Sequence, residues 1–141
     1  LAEAICVDPK EVGKLWPHVA PWIKRAMERG DLGTFAAIEA DVMAGHALLW
    51  LVWQAPDFKA AAVTQISRSE RSKVCMIVAC GGEGITLWLP LIGKIEAYAR
   101  DEGCDLVRIL GRKGWTRVLK DYRAPSVVLE KRLQTRAESQ A

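Results

Sequence analysis

Gly81-Gly82-Glu83-Gly84 stands between an apolar stretch, Val74-Cys75-Met76-Ile77-Val78-Ala79, and an amphipathic one that follows. A strand that turns through glycines directly into a helix leaves unpaired backbone N–H groups converging on one spot, with the positive end of the helix dipole behind them. The chemistry this predicts is anion binding. Other reactive residue types form no such constellation. Cys6, Cys75, Cys80 and Cys104 lack C-x-x-C spacing and sit in apolar surroundings, so free, buried thiols are expected. His18 and His46 have no cysteine or carboxylate at metal-ligand spacing, which predicts no metal site. Glu39 and Asp41 show ordinary surface spacing on a helix and Asp57 sits in a turn, so none is placed as a general base.

The elements that must position the glycine turn are legible from periodicity. Trp88, Ile92, Ile95 and Ala99 recur at steps of four, three and four, giving one apolar helical face. Glu96 and Arg100 form a favourable i,i+4 pair off that face, and Gly103 is the stop. Thr86 is the candidate N-cap, and Pro90 predicts that the regular helix begins a residue or two later. Before the turn, Ala47 to Gln54, Phe58 to Ser67 and Lys73 to Cys80 read as an antiparallel meander, punctuated by Ala55-Pro56-Asp57 and Ser67 to Ser72. After it, Asp105 to Leu110 reads as a strand parallel to its predecessor, because a strand–helix–strand unit of this length crosses over.

At the start, Ile5-Cys6-Val7 is a short strand, and Asp8-Pro9-Lys10-Glu11 has the pattern of a capping box opening a helix. Pro17 and Pro21 predict two short helices rather than one, the second ending at Gly30. Thr34 caps the next helix, with Phe35, Ile38 and Val42 facing inward and Gly45 closing it. Trp115 to Asp121 is expected as a last short helix, Val127 to Leu133 as a closing strand, and 134–141 as a polar, frayed tail. Strand alternation puts Trp50 and Trp53 on opposite sides of the sheet, with one of them exposed as a partner contact.

Bulk properties narrow the class. With 141 residues, 50% hydrophobic and 26% charged, the chain can bury a core without staples, and one domain over 1–133 is expected. A formal net charge of +3 and the absence of any base-reading motif argue against nucleic acid, although Arg108, Arg112, Lys113, Arg117, Lys120 and Arg123 form a basic region. The apolar run Ala47 to Trp53 is too short for a membrane span, and Leu1 to Val7 lacks a basic n-region, so the expected location is cytoplasmic, or a particle assembled there.

The element order, together with the strand Val74 to Ala79 running into Gly82-Glu83-Gly84, resembles the GNAT (GCN5-related N-acetyltransferase) fold across Ile5 to Leu133. That implies an α+β fold: a GNAT-like mixed sheet, an antiparallel meander plus one parallel junction, flanked by helices. Tyr98-Ala99-Arg100-Asp101-Glu102-Gly103-Cys104, Gly111 to Leu119 and Val128-Leu129-Glu130-Lys131 are similar to small GNAT-like proteins of bacteriophages and prophages. The resemblance implies acetyl-CoA, with Val78, Ala79 and Cys80 beside its pantetheine and Gly81, Gly82, Glu83 and Gly84 at its phosphates. It also implies Tyr122 as a candidate acid for the departing thiolate. Two departures stand out: Ala79 occupies the position where the family has Arg or Gln, and Glu83 puts a negative charge inside a diphosphate loop. Two classes follow from the resemblance: an acyl-CoA-dependent N-acetyltransferase with a degenerate loop, and a non-catalytic phage or virion protein that keeps the fold for protein binding or self-association.

Overall fold

The computed structural model describes residues 2–111, 113–135 and 137, with 85, 86, 113 and 114 described by backbone alone. Contacts within the chain divide after Gly111 into two compact units. The first follows the order β1 (Glu3–Cys6), α1 (Val12–Gly30), α2 (Phe35–Ala44), β2 (Leu48–Gln54), β3 (Asp57–Arg68), β4 (Lys73–Gly82), α3 (Ile85–Asp101) and β5 (Leu106–Ile109). The strands form one sheet in the order β1-β2-β3-β4-β5, antiparallel throughout except for the parallel pair β4–β5. This is the mixed α+β architecture that the spacing predicts.

α1 departs from expectation by being one helix through both prolines. Its buried positions Val12, Trp16, Val19 and Ile23 form a stripe at helical spacing, whereas Pro17 and Pro21 lie exposed, four residues apart on the opposite side. The carbonyls that lose their i+4 donors therefore face water, and burial of the stripe outweighs the proline penalty. Arg25 Nε also donates to the exposed Pro21 carbonyl, at 3.4 Å. The expected capping box is instead a turn. Asp8 Oδ1 accepts from the Lys10 amide at 2.9 Å, and the helix starts only at Val12, after Glu11. α2 matches its reading: Thr34 Oγ1 accepts from the Ala37 amide at 3.2 Å, and Gly45 closes the helix at φ 80°.

The helices sandwich the sheet. α1 and α2 cover one face, burying Leu49, Leu51, Ala61, Val63 and Ala79 with Val19, Ile23 and Val42. α3 covers the other, where the Tyr98 ring meets Trp50 edge-on at 5.4 Å. Among its described side chains Trp88, Leu91, Ile92, Ile95 and Ala99 are buried, which adds Leu91 to the expected stripe. Neither candidate surface tryptophan is exposed: Trp50 is 3% exposed, and Trp53 is half-buried against Phe58 at 4.9 Å between ring centroids. α3 starts at Ile85 with Gly84 as N-cap, so Thr86 falls inside the first turn; its side chain lies outside the described residues. Pro90 is accommodated one turn later, where it is exposed.

In the second unit, the expected helix over Trp115 to Asp121 is a 3₁₀ turn, Lys113–Arg117. The amides of Val118 and Leu119 both converge on the Trp115 carbonyl, at 3.1 and 2.9 Å, which tightens the turn instead of propagating it. The expected strand Val127 to Leu133 is absent: these residues pair with no strand among the described residues. β-propensity supplies no hydrogen-bonding neighbour, and Val127, Val128, Leu129 and Leu133 are exposed instead. Arg112 and most of the polar tail (136 and 138–141) lie outside the described residues.

Candidate functional site

The sheet opens beside β4. β5 pairs with β4 only from Val74↔Leu106 to Ile77↔Ile109, while β3 stays paired with β4 as far as Gly82. The register between β3 and β4 slips where Val63 faces Ala79 and Thr64 faces Ile77, making Val78 the extra residue of a bulge. A bulge bends its strand and increases the local twist. Its position directly after the last parallel pair explains why β4 and β5 separate there. From Val78 to Gly82, β4 therefore has no strand partner on its β5 side among the described residues.

The predicted residues have distinct roles along this segment. The side chains of Val78 and Ala79 pack into the core beneath α1, so only their backbone is offered to the gap. Cys80 lies opposite Ala62, half-buried, and burial pushes its thiol pKa upward, so it stays protonated at neutral pH. A Cβ on Gly81 would come within 2.9 Å of the Trp22 carbonyl oxygen of α1. Gly82 has φ 153°, and a Cβ there would lie 2.5 Å from the Lys59 carbonyl oxygen. These two glycines are demanded by packing. Gly84 is not: its φ of −174° is ordinary extended backbone, and a Cβ there would meet nothing within 4 Å.

Gly84 supplies no side-chain cap to α3, so the helix begins with the positive end of its dipole uncapped, and the space where a Gly84 side chain would stand is open. Glu83, the acidic residue of the turn, does not sit free in it. Its amide donates to the Lys59 carbonyl at 2.9 Å, and its carboxylate meets Lys59 Nζ at 3.2 Å. Lys59 was not identifiable from sequence. It is the extra residue of a second bulge, in β3, where Val52 faces Ala60 and Trp53 faces Phe58, and no local signal in the sequence marks such a position. Trp22 is likewise a non-local neighbour of the turn.

The other candidates have structural partners. Glu39 accepts from the Trp16 indole at 2.7 Å, Asp41 accepts from Gln65 at 3.2 Å, and Asp57 lies 3.9 Å from Lys59. Tyr122 belongs to the second unit, half-buried, its amide donating to the Leu119 carbonyl at 3.0 Å. The four cysteines are free, but only Cys75 is fully buried and Cys6 is exposed. Among the described residues, no cluster of side chains could hold a metal ion, and no helix is long and apolar enough to cross a membrane.

No family model matches the sequence, and no curated protein matches it. Solved structures do match the fold. A GCN5-related N-acetyltransferase from Ralstonia eutropha JMP134 superposes with a TM-score of 0.66 at 10% identity, covering 94% of this chain and 99% of its own. A predicted acetyltransferase from Clostridium acetobutylicum, solved with acetyl-CoA, gives 0.65 at 11% identity, covering 95% and 96%. An aminoglycoside N-acetyltransferase solved in complex with CoA gives 0.66 at 13% identity, covering 96% of each chain. With its bulged, splayed β4 leading into α3, the chain has the fold of the GCN5-related N-acetyltransferases.

Proposed function

We propose that this chain binds an acyl-CoA in the gap beside β4 and passes the acyl group to an amine. The observation that carries this reading is the open edge Val78–Gly82 leading straight to the uncapped N-terminus of α3, with free space in front of Gly84. Acetyl-CoA would supply an activated acetyl thioester, as it is bound in the Clostridium neighbour. The residues present fit such a group: those backbone groups of Val78, Ala79 and Cys80 that β3 leaves unpaired would orient the pantetheine and thioester oxygen, and the start of α3 would hold the phosphates. Because Cys80 stays protonated, it is a poor nucleophile, which favours direct transfer to the amine over an acyl-cysteine. The chain's contribution is then positioning and amide hydrogen bonding.

Gly84→Asp separates binding from folding. Aspartate is a better N-cap than glycine and complements the helix dipole, so the variant should unfold at slightly higher denaturant, gaining about 0.5 kcal/mol. The same carboxylate would occupy the first-turn amides and repel phosphate, so calorimetric binding of acetyl-CoA should fall at least about 100-fold. Absence of binding by the wild-type protein at millimolar acetyl-CoA would overturn the reading, as would unchanged affinity in Gly84→Asp.

A second reading, protein binding without chemistry, is favoured by one observation. Val127 and Leu129 are 75% and 89% exposed within a short run that also exposes Val128 and Leu133. Such runs mark protein contacts. Under this reading the protein self-associates in light scattering, and Leu129→Glu returns it to monomer mass; monomers in both cases would remove it.

A further inference from the structure

We propose that Lys59 and Glu83 form a charge latch that controls anion entry to the glycine turn, with Glu83 holding on Lys59 the place that a phosphate takes when ligand binds. This rests on the acyl-CoA reading above and adds to it a regulating pair.

Three observations converge on the pair. Lys59 is the extra residue of the β3 bulge, outside the regular ladder, and its side chain is only 22% exposed. That side chain is directed at the turn, where its ammonium meets Glu83 Oε2 at 3.2 Å and Asp57 Oδ2 at 3.9 Å. The same two residues are also joined through the backbone, from the Glu83 amide to the Lys59 carbonyl at 2.9 Å, while Gly82 packs on that carbonyl and on Ala60. The turn is thus fastened to the bulge by a backbone bond, which sets its position, and by an ion pair, which can exchange. Glu83 is 55% exposed, so the pair is screened and weak enough for a multiply charged phosphate to displace the carboxylate. Asp57 remains beside Lys59 when Glu83 leaves, which keeps the ammonium partnered through the exchange.

The latch makes predictions of opposite sign for its two halves. Glu83→Gln removes the competing carboxylate and should tighten acetyl-CoA binding about five-fold. Lys59→Met removes the phosphate's partner and frees Glu83 within the turn, so binding should weaken about ten-fold. Lys59→Met/Glu83→Gln should lie between the single variants. Isothermal titration of acetyl-CoA at low salt reads all three, and the gain in Glu83→Gln should shrink as salt rises. A purely structural pair would change the unfolding midpoint without this pattern. Unchanged affinity in Glu83→Gln, with binding abolished in Gly84→Asp, would leave the site standing and remove the latch. Loss of affinity in Glu83→Gln would also remove it. No binding by the wild-type protein or by Glu83→Gln would remove both the latch and the acyl-CoA reading.

Discussion

Gly82→Ala is expected to cost about 3 to 4 kcal/mol of stability, while Gly84→Ala, two residues on, changes it by less than about 0.5 kcal/mol. The two glycines look alike in sequence, yet their backbones differ in kind. At Gly82 the φ of 153° lies in a region that side-chain-bearing residues rarely adopt, and a methyl group would sit 2.5 Å from the Lys59 carbonyl oxygen and 2.6 Å from Ala60 Cα. Both obstacles are backbone of the neighbouring strand, so neither can rotate away. Relief requires moving β3 from β4 at the bulge, which also breaks the Glu83–Lys59 backbone bond. At Gly84 the backbone is extended and the space is open. Gly81 falls between them, since its contact is the Trp22 carbonyl at 2.9 Å and α1 can shift slightly. Urea unfolding of the three alanine variants gives the ranking. Equal midpoints for Gly82→Ala and Gly84→Ala would show that the turn is not held as described. The ranking also decides how the site is probed: a ligand-blocking substitution belongs at Gly84, because one at Gly82 loses binding by unfolding.

The same contrast explains what the sequence could and could not disclose. Features set by neighbours along the chain were legible: the α3 stripe from Trp88 to Ala99, the Thr34 and Gly45 caps, the meander and the parallel crossover. Pro17 and Pro21 misled because a proline's cost depends on which side of the helix its orphaned carbonyls face, and only the tertiary packing of Trp16, Val19 and Ile23 fixes that side. The glycine turn was found as a cluster, but its division into two packing glycines and one free one depends on Trp22, Lys59 and Ala60, all distant in sequence. The same is true of the pairing that neutralises Glu83. For Val127 to Leu133, strand-forming residues were read correctly as such, but a strand also needs an edge to pair with, and composition carries no information about that.

Trp50→Ala should be among the most damaging single substitutions, at about 4 kcal/mol. The ring is buried between the sheet and α3, with Tyr98 against it edge-on, and truncation leaves a cavity that β2, central to its sheet neighbours β1 and β3, cannot collapse to fill. Part of the cost is polar. The indole Nε1 donates to Thr64 Oγ1 at 2.8 Å, diagonally across the β2–β3 pair, and Thr64 is the one polar side chain among the fully buried residues described. Burial and the neighbouring Cys104 push the Cys75 thiol up to about 11, against the opposing influence of Thr64. Trp50→Phe keeps much of the ring but leaves Thr64 without its donor, and Thr64→Val leaves the indole N–H buried and unmet, each costing about 1 to 3 kcal/mol. In Trp50→Phe/Thr64→Val neither polar atom is left stranded, so the double variant should be more stable than the sum of the singles by about 1 kcal/mol or more. Strict additivity in chemical denaturation would mean that the bond contributes nothing to the fold. The expected coupling would identify this pair as a polar tie between β2 and β3 that fixes the Trp50 ring on which Tyr98 of α3 packs.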